Sequence, residues 1–248
     1  MSRTEISNRL ELTVAQEWSR LGALFNVLPA SQTPDIEQLL LNTARVAAKN
    51  SRLLVMAATW LSFYGNYVAK RRLAVLVRES LEPEFRPILG FLLEWVTKNS
   101  PNGSHRFREA IAQCRPDPHP RPMLAVSARS KVLIDLAASR ASPLSKKWGR
   151  WLNPFDPKPE ALRPIEWIAA HNPSLALRAL CGGDLVATIA ADAAGGLDAF
   201  SSESQLARRY GASRASIRDA LKKLKMAGYA SQSTDGKSRP IRVNLSPS

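Results

Sequence analysis

The chain has 248 residues, 45% of them hydrophobic, and a formal net charge of +14. That apolar content is ordinary for a globular protein, and the length suits two modest domains. Its two cysteines, Cys114 and Cys181, stand far apart, which excludes a disulfide framework and suits a reducing compartment.

The start, MSRTEISNRLE, is polar and carries no apolar run, so no secretory leader is expected. Leu10–Leu28 is apolar at Leu12, Ala15, Leu21, Leu24 and Phe25 and reads as a helix. Thr33-Pro34-Asp35 combines an N-cap, a first-position proline and an acid, and predicts a helix running to Lys49. Ser51–Tyr64, Ala69–Leu81, Glu84–Lys98 and Ser104–Arg115 read as four more. Short connections predict antiparallel packing, so residues 1–115 are expected to form a helical bundle or a stack of helix pairs. The longest uncharged run, Leu53–Ala69, is interrupted by Thr59, Ser62, Gly65 and Asn66. It falls short of the ~20 apolar residues of a membrane span and reads as a buried helix.

Residues 116–169 predict a Pro-rich connector with short helices, since nine of the seventeen prolines lie between Pro116 and Pro164. Arg129–Arg140 predicts one of those helices. Lys146-Lys147-Trp148-Gly149-Arg150-Trp151 is basic and aromatic. The favoured reading packs both tryptophans on the helical domain with the lysines in water; the other is contact with nucleic acid or an acidic partner. His105, Cys114 and His119 match no common zinc spacing, so no metal is expected and Cys114 reads as a packing residue. The acids stand mostly beside Lys or Arg at helical spacing and read as surface ion pairs. No Gly-rich phosphate loop, paired metal motif or nucleophile elbow occurs, so neither an enzyme nor a cofactor is expected.

Residues 170–248 carry the most explicit pattern. Helices are predicted from Asn172-Pro173 to Cys181 and over Leu185–Ala194, with Gly195-Gly196 in a following loop. Ser202 and Gln205 match a capping box, and Leu206, Ala207 and Tyr210 share one helix face. Gly211 permits a positive-φ turn, Ala212 fits a tight corner, and Ser213 is a second N-cap. In the next helix Ile217, Ala220, Leu221 and Leu224 face inward, and Arg214, Ala215, Arg218 and Lys222 face mostly outward. After Gly228 the period changes to two. Tyr229–Ser233 and Pro240–Leu245 read as strands around an Asp235-Gly236 turn, with Ile241, Val243 and Leu245 on one side. Between Phe200 and Ser248 ten Lys/Arg face three Asp/Glu, which is half of the whole net charge. That is the electrostatic footprint expected of a DNA-binding module.

Two helices around a tight turn, followed by a hairpin, predict a winged helix-turn-helix with double-stranded DNA as partner. Arg214, Ala215, Ser216 and Arg218 are the candidates for base edges or nearby phosphates. Arg208, Arg209, Lys222, Lys223 and Lys225 suit phosphates, which position without reading sequence. Lys237, Arg239 and Arg242 put positive charge on the wing, and Ser202 and Ser213 at the two N-caps complete the candidate set.

The segment SESQLARRYGASRASIRDALKKLKMAGY resembles the winged helix-turn-helix of the GntR-type bacterial transcription regulators. The resemblance rests on Ser202-Glu203, Leu206-Ala207, Gly211, Ser213-Arg214, Arg218, Ala220-Leu221, Leu224 and Gly228. It implies that Arg214 and Arg218 touch DNA. The family carries this module at its N-terminus, whereas here it is C-terminal, and Ser201 stands where a proline is usual. The resemblance therefore implies DNA binding without the family's metabolite-sensing domain.

The expectation is a mainly α, cytoplasmic and nucleoid-associated transcription regulator, acting as a repressor or autoregulator and binding DNA as a homodimer. An alternative is an antitoxin-like or defence-operon interaction protein, with the N-terminal helical domain gripping a partner protein. A third reading is plasmid replication or partition.

Overall fold

The first helix, α1 (Arg3–Arg20), ends where Gly22 takes φ +97°, a conformation that side chains other than hydrogen disfavour. The structure is a computed structural model and describes residues 3–100, 107–180, 185–194, 199–232 and 240–243. The chain is mainly α-helical, with short strands.

The next helix, α2 (Ile36–Val46), starts two residues later than the sequence suggests. Its N-cap is Asp35, not Thr33, because the Asp35 carboxylate accepts from the Gln38 N–H at 3.1 Å. Helices α3 (Ser51–Tyr64), α4 (Lys70–Ser80) and α5 (Arg86–Asn99) agree closely with expectation. The sixth expected helix, Ser104–Arg115, is reduced to α6 (Arg108–Ala112); residues 101–106 lie outside the described residues.

Helix α3 buries Leu53, Leu54, Met56, Ala57, Ala58, Trp60 and Leu61, and α5 buries Ile88, Leu89, Phe91, Leu92 and Leu93. Helices apolar around most of their circumference have to sit inside other helices. Accordingly α1, α2, α4 and α6 surround them in one core. Two buried tryptophans keep their polar ends satisfied, as low-dielectric surroundings require. Trp18 Nε1 donates to Thr43 Oγ1 at 2.9 Å, and Trp60 Nε1 donates to the Leu21 carbonyl at 3.0 Å.

Residues 116–169 wrap this helical body instead of standing apart from it, because Met123, Trp148 and Ile168 enter its core. Strand β1 (Arg121–Pro122) pairs in parallel with β2 (Arg150–Trp151), and α7 (Lys131–Arg140), α8 (Pro143–Lys147) and α9 (Ile165–His171) lie around them. The Trp148 ring lies so close to Gly90 that a Cβ there would stand 2.3 Å from it. Its Nε1 donates to Glu94 at 2.8 Å, which also takes Lys147 at 2.7 Å. Arg150 is buried against Asp117 at 2.9 Å. The basic, aromatic segment is thus used largely in packing, with Lys146 in water.

Helix α10 (Pro173–Leu180) contributes Leu175 to this first core. A second core begins with α11 (Leu185–Ala194) and continues through β3 (Ala199–Phe200), α12 (Glu203–Tyr210), α13 (Arg214–Met226), β4 (Ala230–Gln232) and β5 (Ile241–Val243). Leu175 thus packs in the first core and Leu185 against the second. The three strands form one antiparallel sheet in the order β3-β5-β4, with Ile241 opposite both Phe200 and Gln232. Strand β3 has no counterpart in the sequence reading, since two residues are too few to show a period.

Candidate nucleic-acid interface

Helix α12 begins at Ser202, whose hydroxyl accepts from the Gln205 N–H at 3.2 Å. The expected capping box is shifted by one residue. Gln205 Oε1 takes the Ser201 N–H at 2.7 Å and the Ser201 hydroxyl at 2.9 Å, not the Ser202 N–H. Gly211 then turns the chain at φ +60°, and the Ala212 N–H returns to the Ala207 carbonyl at 3.1 Å. Ser213 caps α13 by accepting from the Ser216 N–H at 3.1 Å.

The face of α13 that carries Ile217, Ala220, Leu221 and Leu224 is buried in the second core. Arg214, Ala215, Arg218, Asp219, Lys222, Lys223 and Lys225 are exposed, and Ser216 is half-buried. One helix thus separates an apolar seat from a cationic outer face. Arg218 reaches across to Glu203 at 2.9 Å yet stays 64% exposed, a pairing weak enough to exchange for another anion. Arg208 is exposed on α12, and Arg242 points outward from β5 between two buried neighbours. Lys237, Arg239 and the Asp235-Gly236 turn lie outside the described residues.

Arg209 is placed differently from the other candidates. It is tied to α11, with its Nε on Asp192 Oδ2 at 2.8 Å, and the Tyr210 hydroxyl donates to the same oxygen at 2.9 Å. Burial first, and the Asp192 charge second, push the Tyr210 hydroxyl pKa up, so it remains a donor.

Asp192 belongs to an ionic cluster that sequence reasoning missed. Glu37, 0% exposed, accepts from Arg72 Nη1 at 2.6 Å, from Arg178 Nη1 at 2.7 Å and from the Ala69 N–H at 2.7 Å. Asp35 takes Arg72 through both guanidinium Nη atoms. Burial alone would raise the Asp35 carboxyl pKa, but the Arg72 guanidinium holds it below the ordinary carboxylate range. Arg178 also donates to the Tyr67 carbonyl at 2.9 Å. Arg209 Nη2 stands 3.9 Å from Asp35, completing the link from α12 back to the start of α2. Three arginines and three carboxylates from α2, α4, α10, α11 and α12 therefore join the two cores. These acids are not surface pairs at helical spacing. Their partners are distant in sequence, and only Asp35, beside a helix start, carried any local signal.

Helix α4 also lies against the α12–α13 turn. A Cβ on Gly211 would stand 2.5 Å from Val75 Cγ2 and 3.1 Å from the Arg71 carbonyl oxygen. Lys70 and Arg71 consequently flank the start of α13.

Among the described residues no group of three or more His, Cys, Asp or Glu side chains is arranged to hold a metal. Cys114 is buried, and burial pushes its thiol up to about 12, so it is an inert packing group. No helix among the described residues is long and apolar enough to cross a membrane. Comparison with protein-family models, with curated proteins and with solved structures returns no match.

Proposed function

We propose that residues 185–243 are a winged helix-turn-helix that binds double-stranded DNA, and that the chain is a transcription regulator. The observation carrying this reading is the division of α13, with Ile217, Leu221 and Leu224 in the core and Arg214, Ala215 and Arg218 outside at its N-terminal half. An N-terminal half of that kind fits a major groove. The order α11-β3-α12-α13-β4-β5 and the antiparallel β3-β5-β4 sheet support it. In this reading Arg214 and Arg218 meet base edges or nearby phosphates, and Arg208, Lys222, Lys223 and Arg242 meet phosphates. Binding as a homodimer, as a repressor or autoregulator, belongs to the same proposal.

The test is selection from random duplexes with the full-length protein, followed by fluorescence anisotropy on the selected site. Arg214→Ala and Arg218→Ala are each expected to weaken binding by ~1–3 kcal/mol, the worth of one arginine–guanine pairing. Unchanged affinity in both variants, with the fold intact, would sink the proposal. A palindromic selected site would support the homodimer.

A second reading, an interaction protein whose helical body grips a partner, is favoured by α7. That helix has no buried residue, and its Val132 (75%), Leu133 (37%) and Leu136 (41%) are exposed together. Co-purification of a partner that is lost in Val132→Ser/Leu136→Ser would favour it.

A further inference from the structure

Helix α7 packs along β1 and the short 3-10 helix Ala125–Ala128 without one fully buried side chain. Helices of ten residues draw most of their stability from tertiary packing, so an uncovered one is unusual. Val132, Leu133, Leu136 and Ala137 form one stripe at helical spacing, and the first three are exposed. Val126, in the adjoining 3-10 helix, is exposed as well. A groove of about 180 Å³ runs beside the stripe, lined by Leu133, Leu136 and Arg140 of α7 and by Leu124, Trp151 and Leu152. That volume is below the ~300–1,000 Å³ of small-molecule sites and fits single apolar side chains.

We infer that this stripe and groove dock an acidic amphipathic helix of a partner protein, its apolar anchors entering beside Trp151 and its carboxylates meeting Arg129 and Arg140. The inference rests on the second reading above, in which α7 binds a partner, and adds the chemistry of that partner. It is independent of DNA binding.

Charge decides the occupant. Arg129, Lys131 and Arg140 are exposed at the two ends of α7, and none has an ion pair or side-chain hydrogen bond among the described residues. Asp135, the one acid of the helix, is two residues on from Leu133 and so on its far side. The apolar stripe is therefore bracketed by free cations. A second copy is a poor match. Antiparallel pairing of two α7 helices sets Arg129 and Lys131 of each copy against Arg140 of the other, and parallel pairing sets each end against itself. Like charges meet in both arrangements, which disfavours the pairing. A phosphate backbone suits the arginines but leaves Val132, Leu133 and Leu136 without an apolar partner. An amphipathic helix with acidic flanks satisfies both the groove and its rim, as helix-in-groove recognition requires.

The test uses the full-length protein and a random-peptide library displayed on phage. The library is depleted on Val132→Ser/Leu136→Ser and then enriched on wild type, so the survivors depend on α7. Enriched peptides are synthesised and measured by fluorescence anisotropy. They are expected to carry Leu, Ile or Phe at i, i+3 or i+4, and i+7, with Asp or Glu between. Their binding is expected to weaken about tenfold or more in Leu133→Ser, as loss of one anchor gives. A loss of about that size is also expected in Arg129→Glu/Arg140→Glu, which leaves the apolar walls intact. Because α7 buries no side chain, these variants are expected to keep the wild-type melting temperature.

An absence of any α7-dependent peptide would remove the second reading and this inference together. Peptides that depend on Val132 and Leu136 but are basic or uncharged, and bind Arg129→Glu/Arg140→Glu as well as wild type, would leave that reading standing and overturn the acidic partner. Self-association of wild type that Val132→Ser/Leu136→Ser abolishes, measured by sedimentation, would give the face to a second copy and overturn the inference. So would duplex binding that falls in Arg129→Glu/Arg140→Glu but not in Leu133→Ser, if no acidic peptide is enriched.

Discussion

Glu37 and Arg178 are 141 residues apart in the chain and meet at 2.7 Å with both side chains buried. The pair sits where the helical body ends and the C-terminal unit begins, and Arg72 reaches the same carboxylate from the other side. Burying such charges is costly, and the cost is offset only while every partner is present. Arg178→Ala would leave Glu37 sharing one guanidinium instead of two. Breaking a buried pair by removing one partner typically costs ~3–5 kcal/mol. Urea denaturation of Arg178→Ala is expected to show a loss of that order. A midpoint equal to wild type would mean that the cluster is not held as described.

Gly211 joins two demands in one residue. Its φ of +60° disfavours any side chain, and a Cβ would press on Val75 and the Arg71 carbonyl. Gly211→Ala is expected to destabilise by about 1–3 kcal/mol, from backbone strain plus the clash. Adding Val75→Ala relieves the clash but not the strain, so the double variant recovers part of the loss. Chemical denaturation of the two single variants and the double variant measures that coupling. Strict additivity would show that α4 does not press on the turn.

Glu17 provides a pH readout. Burial, with Asp35 nearby as the second cause, pushes its carboxyl up to about 7, and its Oε2 has no hydrogen-bond partner among the described residues. The folded state therefore holds this proton more tightly than the unfolded chain. Its stability contribution is present below about pH 4.5 and is lost as pH rises through about 7. Glu17→Gln, permanently neutral, is expected to gain melting temperature over wild type as pH is raised from 5 to 8. A difference that does not change with pH would contradict the raised carboxyl.

On α13, Lys222 and Lys223 are exposed beyond the first turn, where phosphates rather than bases would be met. If the DNA proposal holds, Lys222→Ala/Lys223→Ala weakens binding to all duplexes about equally and lowers the salt slope by about two. Loss confined to the selected site would instead assign these lysines to base reading.

Gly90 is constrained by tertiary contact alone. A Cβ there would stand 2.3 Å from Trp148 and 2.9 Å from Cys114 Cβ. Gly90→Ala is expected to destabilise by about 1–3 kcal/mol, the usual range for overpacking a filled core. Because Trp148 donates to Glu94, displacement of the ring is also readable in its fluorescence.

Local features were legible in the chain because their causes are local. The span of α3, the caps at Ser202 and Ser213, the left-handed Gly211 and the inward set Ile217, Ala220, Leu221 and Leu224 all follow from neighbours within a few residues. So does the sign of the outer face of α13. Strand β3 was invisible, being defined only by its register with β5. The wrap of residues 116–169 was hidden for a similar reason. Prolines mark where chain direction is restrained, but they say nothing of what Met123 or Ile168 will touch; only the packing of Trp148 was legible.

Periodicity and capping alone thus specify α3, α4, α5, α12 and α13, the turn at Gly211 and a cationic outer face on α13, but they misplace α1, which runs Arg3–Arg20 and not Leu10–Leu28. The docking of that unit on the helical body required the folded chain. Its crossing ion pairs are Arg178 with Asp192 at 4.0 Å and Arg209 with Asp35 at 3.9 Å, held in place by Glu37 on one side and by the Asp192–Arg209 pair on the other. Buried ion pairs depend on distance and desolvation, which sequence spacing does not encode. The same packing sets Lys70 and Arg71 beside the start of α13, along one wall of a cleft.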